Sequence, residues 1–181
     1  YALSSFISWL RELGYPRFIL QSDGEPALTA FVNAAREKML ENNVGIDSIV
    51  CRVSPVGSHQ SNGGAERAVG LIRGYARVYL EVIQQRTGVI INAASAWWAW
   101  ALRHAAWTYC RFHIRNDTRL TPYSKVRLRT YSSYLLPFGE VVMARRPGAH
   151  LMKGESWYVF GCWLGRDGIT DEYIIGSKAG V

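Results

Sequence analysis

The sequence predicts an α/β domain followed by a small β-rich module, and three observations favour this fold class. Helix-type and strand-type hydrophobic patterns alternate through the first 87 residues. Beyond about residue 137, only short strand patterns separated by turn signals remain. Of the 181 residues, 49% are apolar and 19% are charged, a composition that supports a packed core and argues against disorder.

Two helices and two strands are expected in the first 53 residues. Apolar residues at helical spacing predict a helix over residues 3–13. The apolar run at 18–20 is typical of a buried central strand. A proline that can open a helix begins the second helical pattern, at 26–43, and residues 46–53 have the pattern of a second strand.

The middle of the chain predicts a loop and two long helices. Glycine and small polar residues over 54–64 indicate a mobile loop. A helix over 64–87 should bury a stripe made of Ala65, Val69, Ile72, Ala76, Tyr79 and Ile83. A helix over 94–113 should bury Trp98, Leu102, Ala105, Tyr109 and Phe112. The tryptophans at 97, 100 and 107 are expected in packing rather than in base stacking.

The chain is expected to divide into three parts. Residues 1–119 form the first domain, 120–136 a basic linker, and 137–181 the β-rich module. A module of this size is marginal alone, so it should dock on the helices. Its strand candidates are 141–143, 157–164 and 173–175, with turn signals at Pro147-Gly148 and Asp167-Gly168.

Positive charge is concentrated in the middle of the chain. The formal net charge is +7, yet residues 66–150 carry thirteen basic and four acidic side chains, a net +9. Seventeen of the 21 basic residues are arginine, whose planar guanidinium suits bidentate contacts with phosphate. This distribution favours a polyanionic partner, with a solvated basic helix face as the alternative.

Two acidic residues are conspicuous because of their positions. Asp23 lies just past the end of the first predicted strand, where α/β sheets present functional side chains. Glu66 lies near the expected start of a helix, after the glycine-rich loop. Each has a structural alternative, because Asp23-Gly24 suits an ordinary turn and Glu66 could complement a helix dipole. If they face one cleft, they supply the hard oxygen ligands that Mg²⁺ needs.

Two segments together carry a family resemblance. Residues 22–24 (Ser-Asp-Gly) at a strand end, with residues 62–67 (Asn-Gly-Gly-Ala-Glu-Arg) opening a helix, resemble the integrase core of LTR retrotransposons and retroviruses. The Trp-rich helix, residues 120–123 and residues 160–165 (Phe-Gly-Cys-Trp-Leu-Gly) resemble the copia type. The resemblance implies a ribonuclease-H-like core, amino-terminally truncated, and then an SH3-like or barrel-like module.

The resemblance also implies roles for individual residues. Asp23 and Glu66 match two of three catalytic carboxylates that hold two Mg²⁺ or Mn²⁺ ions, and the first aspartate has no counterpart in this sequence. DNA is the implied partner, as element ends and as target. Its candidate contacts are His59, Gln60 and Asn62 of the predicted loop and Arg67, Arg73 and Arg77 of the following helix.

The implied activity is DNA 3′-end processing and strand transfer by the full-length parent, a homo-oligomer acting in the nucleus. The 181-residue chain alone is expected to be inactive, because one carboxylate of the triad is missing. The sequence contains no run of about 18 apolar residues, so we expect no membrane partner. Alternatives are a gypsy-type integrase or transposase, an inactive remnant that at most binds nucleic acid, and a β-module scaffold with an unrelated helical half.

Overall fold

Five helices and five strands make up the part of the chain that the computed structural model describes, residues 2–41, 46–55, 59–145, 152–178 and 180–181. They form a mixed α/β protein with two compact units, residues 1–69 and 70–181. In chain order the elements are α1 (Ala2–Leu13), β1 (Arg17–Ser22), α2 (Pro26–Glu41), β2 (Ser48–Val53), α3 (His59–Thr87), α4 (Ala96–Phe112), α5 (Pro122–Arg127), β3 (Val141–Arg145), β4 (Tyr158–Arg166) and β5 (Tyr173–Gly176).

The first unit contains a parallel two-stranded sheet. β1 and β2 pair from Arg17 opposite Ser48 to Ser22 opposite Val53, and α2 is the helical crossover that a parallel pair requires. The α1 pattern ends as predicted, because Gly14 has a φ of +69°, a left-handed conformation that terminates a helix. The predicted exit of α2 at 42–43 falls outside the described residues.

The core of the first unit lies on one face of this sheet. Its buried residues are Ile7 and Leu10 of α1, Ala35 and Met39 of α2, and Ile49 of β2. On the other face, the register partners Ile19 and Val50 are 61% and 51% exposed. The prediction of a buried central strand at 18–20 is therefore wrong, because the described helices of this unit cover only one face.

The helix α3 starts earlier than the sequence pattern indicates. Its first residue is His59, so the predicted loop is wrong for residues 59–64, while residues 56–58 lie outside the described ranges. The predicted buried stripe holds only in the second half of the helix. Val69 is exposed, whereas Ala76 and Ile83 are buried against α4 and the β-rich part of the second unit.

The second unit has one shared core of helices and strands. Its buried members are Ala76, Leu80, Ile83, Ala101, Ala105, Phe138 and Leu164. Since Phe138 and Leu164 belong to the predicted module, the expectation that this module packs on the helices is confirmed. The tryptophans at 97 and 100 pack against the same core and Trp107 is buried, which confirms the packing role predicted for them.

The buried stripe of α4 is rotated by about one residue from the predicted one. Ala101, His104, Ala105 and Trp107 are buried, whereas Phe112 is 40% exposed. The predicted stripe consisted mainly of large apolar side chains, whereas two alanines and a histidine are among the buried residues of the helix. The sequence pattern thus located the helix correctly and its buried face in part, since Ala105 is buried and Trp98 and Leu102 pack against the core.

The β-rich part is an antiparallel sheet in the order β3–β4–β5. A turn follows Asp167, as predicted, while the turn signal at 147–148 lies outside the described residues. The predicted linker 120–136 contains α5, capped by the Thr121 side chain, which accepts a hydrogen bond from the Ser124 backbone N–H. The three-part division at 119 and 136 stays a prediction.

Candidate functional site

Asp23 lies at the carboxyl edge of the parallel sheet. The two strand ends are joined there, because the Ser54 backbone N–H donates to the Ser22 carbonyl at 2.8 Å and Gln21 donates to the Ser54 hydroxyl at 3.1 Å. The exposed Asp23 carboxylate follows β1 directly, which confirms its predicted position at a strand end. Its Oδ1 accepts a hydrogen bond from the Glu25 backbone N–H at 3.2 Å.

This hydrogen bond also gives Asp23 the turn role that the sequence allowed. Gly24 has a φ of +76°, and a Cβ at this position would lie 2.9 Å from the Val53 side chain. The Asp-Gly pair is therefore needed to pass from β1 into α2 beside β2. One carboxylate oxygen serves the turn, and the other makes no hydrogen bond within the described part of the chain.

Glu66 lies two turns inside α3, not in its first turn as the sequence predicted. The helix begins at His59, seven residues before it, and the carboxylate is exposed. The helix dipole acts mainly within the first turn, so this position disfavours the interpretation that Glu66 complements it. Among the residues that the structure describes, none forms a hydrogen bond or an ion pair with Glu66.

The two candidate carboxylates belong to the same compact unit, and no hydrogen bond links them. No group of three His, Cys, Asp or Glu side chains that could hold a metal occurs among the described residues. The donor chemistry itself fits, because within the described ranges one oxygen of Asp23 and both oxygens of Glu66 have no hydrogen-bond partner, and hard carboxylate oxygens suit Mg²⁺. These two residues would hold a metal; its presence stays a prediction.

The predicted DNA contacts that precede Glu66 need a correction. His59, Gln60 and Asn62 belong to the first turn of α3 rather than to a loop, because the helical backbone accommodates the glycines at 63 and 64. The side chains of these three residues lie outside the described part of the structure. Arg67, next to Glu66, is exposed and has no ion pair with a described residue.

Arg73 and Arg77 lie on α3 within the second unit, and both side chains are exposed. Neither forms a hydrogen bond or an ion pair with any residue in the described ranges. Three other exposed arginines of this unit differ, because each is held by a carboxylate at 3.0 Å. These ion pairs are Arg86–Glu140, Arg103–Asp167 and Arg115–Asp117. The arginines predicted to bind phosphate are thus free to do so.

Sequence reasoning missed a buried histidine in the second unit. His104 is 3% exposed, and its ring contacts four aromatic rings with centroid distances of 5.0–6.0 Å, those of Tyr79, Trp107, Phe138 and Trp163. Burial lowers the pKa of the imidazole from its ordinary value near 6.5 to about 4. In the sequence, His104 lies three residues after Ala101 and three before Trp107, a spacing that places it on the same side of the helix as these two residues. Both of them are buried.

The Thr108 hydroxyl is the hydrogen-bond partner of His104. It donates to the His104 carbonyl at 2.9 Å and lies 3.3 Å from Nε2. Nδ1 has no hydrogen-bond partner among the described residues, and a Cβ on Gly165 would lie 2.9 Å from it. This histidine is a structural element of the core.

A second missed feature is a guanidinium enclosed by aromatic rings. Arg111 lies 4.4 Å from the ring centroid of Trp107, 5.2 Å from that of Tyr123 and 5.3 Å from that of Tyr131. It also donates to the Gly168 carbonyl at 3.1 Å, and burial lowers its pKa. This arginine therefore ties α4 to the linker and to the β4–β5 turn, and it is occupied by these contacts.

Comparisons with known proteins identify no relative. No protein-family model, no curated protein and no solved structure matches the chain. None of the helices that the structure describes combines the length and apolar composition needed to cross a membrane. The functional interpretation therefore depends on the residues themselves.

Proposed function

We propose that the chain is part of a retroelement integrase, and that the isolated 181 residues bind duplex DNA without joining DNA ends. The observation that carries this proposal concerns Arg73 and Arg77, two exposed guanidiniums on one helix that pair with no carboxylate of the described residues. The net +9 of residues 66–150 supports a polyanion as the partner. The resemblance at residues 22–24 and 62–67 supports the enzyme class.

The phosphate contacts follow from the geometry of α3. Residues four apart on a helix lie on the same face, about 6 Å apart along the axis, so both guanidiniums can approach one phosphate backbone. Ala76 and Leu80 of the same helix are buried in the core of the second unit, so the segment that carries the two arginines is held in place. A fixed helix that presents two free arginines loses less conformational freedom on binding than two flexible tails would.

The proposed chemistry belongs to the first unit. Asp23 and Glu66 would hold the ions, which when bound stabilise charge that develops on the attacking and leaving oxygens during phosphoryl transfer. The residues of this chain supply carboxylate ligands only, and the third carboxylate of the proposed triad has no counterpart in the sequence. We therefore expect the purified chain with Mg²⁺ not to join DNA ends; efficient joining would refute this expectation.

The test of DNA binding uses two double variants that change the formal charge equally. Replacement of Arg73 and Arg77 by alanine removes two free cations, and replacement of Arg103 and Arg115 by alanine removes two that already pair with carboxylates. Each lowers the net charge of +7 by two. Binding of a labelled duplex is measured by fluorescence anisotropy between about 50 and 200 mM salt, the range over which affinity that depends on phosphate contacts falls steeply.

The expected result is specific to the first pair. Each phosphate contact contributes about 0.9 to the slope of log K against log salt, so the Arg73/Arg77 variant should reduce the slope by about two. Its affinity should fall uniformly for duplexes of different sequence, because phosphate contacts carry no base information. Equal slopes for the two variants would contradict the assignment and leave only a general effect of net charge.

The metal ligands are tested by binding rather than by activity. Free Mn²⁺ is measured by electron paramagnetic resonance with the wild-type chain and with the Asp23→Asn/Glu66→Gln variant. Weak binding that the variant loses, and that Mg²⁺ displaces, is the expected result. The control is Glu41→Gln/Asp47→Asn, two exposed carboxylates of the same unit. Mn²⁺ binding that is equal in all three proteins would favour the alternative, an inactive remnant that only binds nucleic acid.

A further inference from the structure

The antiparallel sheet of the second unit exposes an apolar and aromatic face. Directly opposite residues of an antiparallel pair lie on the same side of the sheet. The register therefore places Met143 beside Phe160 and Arg145 beside Tyr158 on one face. These side chains are not buried: Phe160 is 68% exposed, Met143 is 59% and Tyr158 is 50%. The residues that alternate with them, such as Val142 and Val159, are less exposed.

From this face we infer a second nucleic-acid site, a platform on which the bases of a single strand stack. Tyr158 and Phe160 are two residues apart on β4, so their rings project from the same face about 6–7 Å apart along the strand. Sheet faces with aromatic side chains at this spacing can accept successive unstacked bases. Duplex DNA keeps its bases paired and stacked, so it cannot use this surface in the same way.

Charge on this sheet favours a polyanion over another protein. β3, β4 and β5 contain no carboxylate and two arginines. Arg166 is buried and engaged by Asp171, so Arg145 is the exposed charged residue among those that form the three described strands. The Arg145 guanidinium lies 5.3 Å from the ring centroid of Trp157, a cation–π contact that orients it at the edge of the aromatic surface. The Arg145 guanidinium could therefore bind a phosphate of the strand while the exposed rings beside it contact the bases.

This inference goes beyond the proposed function and rests on different residues. The proposed duplex contacts are made by Arg73 and Arg77, and the proposed metal ligands are Asp23 and Glu66. The platform uses Phe160 and its neighbours, so a failure of either proposal leaves the other unaffected. A single strand is also a chemically distinct ligand, because its bases rather than its phosphates provide the apolar contact.

The experiment measures binding of the 181-residue chain to a labelled oligothymidylate of about 20 nucleotides and to a blunt duplex. Phe160→Ala should weaken single-strand binding about tenfold, because stacking on one aromatic side chain is typically worth a factor of this order. Phe160→Leu should weaken it to a similar degree, since leucine keeps the apolar contact and loses the ring. Phe160→Trp should retain the wild-type affinity.

Two controls make the result specific. Tyr134→Ala removes an aromatic side chain that is 75% exposed near the other end of β4, and it should not change single-strand binding. Duplex binding by all Phe160 variants should stay within about twofold of the wild type, since phosphates and not bases are contacted there. Thermal unfolding of each variant verifies that an exposed side chain was changed without loss of the fold.

Two results would overturn the inference. If Phe160→Leu binds oligothymidylate as tightly as the wild type, the contact is apolar and not a stack. If the wild type self-associates in sedimentation equilibrium, and Phe160→Ala abolishes self-association while leaving oligothymidylate binding unchanged, the face joins two copies of the chain instead. A loss of single-strand affinity in Phe160→Ala and Phe160→Leu, with Phe160→Trp unaffected, establishes the platform.

Discussion

The buried imidazole of His104 makes a quantitative prediction about acid stability. Its pKa in the folded chain is about 4, lowered by burial, and an unfolded histidine titrates near 6.5. Between these values the unfolded chain binds a proton that the folded chain does not. Stability is therefore fully present above pH 6.5 and is lost as the pH falls toward 4. His104 contributes this loss because burial withdraws its ring from the water that would stabilise the charged imidazolium.

The size of the effect follows from the two pKa values. Linkage gives a loss in the free energy of unfolding of about 2 kcal/mol at pH 5 and about 3 kcal/mol at pH 4, relative to neutral pH. Because only 3% of the His104 surface is exposed, solvent screening reduces this figure little. A loss of this size is a large part of the 5–15 kcal/mol, roughly, that holds a domain folded.

The assay is urea unfolding at pH 7, 6, 5 and 4 for the wild type and for His104→Leu, which has a similar volume and no titratable group. Acidic residues titrate in both proteins, so the difference between the two curves isolates His104. The wild type should lose about 3 kcal/mol more than the variant between pH 7 and pH 4. Parallel curves for the wild type and His104→Leu would refute the reasoning.

Two further predictions concern the packing of each unit. Ile49→Ala should lower the free energy of unfolding in urea by about 2–4 kcal/mol, because Ile49 is 4% exposed. Val50→Ala on the same strand should lower it by less than about 1 kcal/mol, because Val50 is 51% exposed. Equal losses would show that the exposed sheet face is covered in solution. Asp171→Asn should lower the free energy of unfolding by about 3–5 kcal/mol, because it leaves the buried Arg166 guanidinium without its carboxylate partner at 3.0 Å. A loss below about 1 kcal/mol would contradict a structural role for this ion pair.

Local sequence patterns predicted most of the elements, because hydrophobic periodicity reports local geometry. The helix α1 and the strand end before Asp23 follow directly from it. The start of α3 did not, because Gly63 and Gly64 each lower helix propensity by only about 1 kcal/mol relative to alanine, which a long helix tolerates. Propensity at a few residues is a weak guide when many neighbouring residues favour the helix.

The faces of the elements were harder to predict than the elements. Ile19 belongs to an apolar run, yet it is exposed because the helices of its unit pack on the other side of the sheet. Burial depends on which elements meet, and that information is not local. The same limit applies to the candidate site. The sequence placed Asp23 at a strand end, but it could not show that one oxygen of this carboxylate already serves a turn.

The aromatic residues of the second unit show why composition alone does not assign function. The tryptophans of α4 were expected in packing, and Trp107 indeed lies in the core beside His104 and over Arg111. The exposed rings of this unit include those that the sheet turns outward, such as Phe160. A side chain enclosed by its own protein has no face left for a base. Exposed rings at a regular spacing therefore lie on the strands, where alternation leaves half of the side chains exposed, and not on the helix with the most tryptophan.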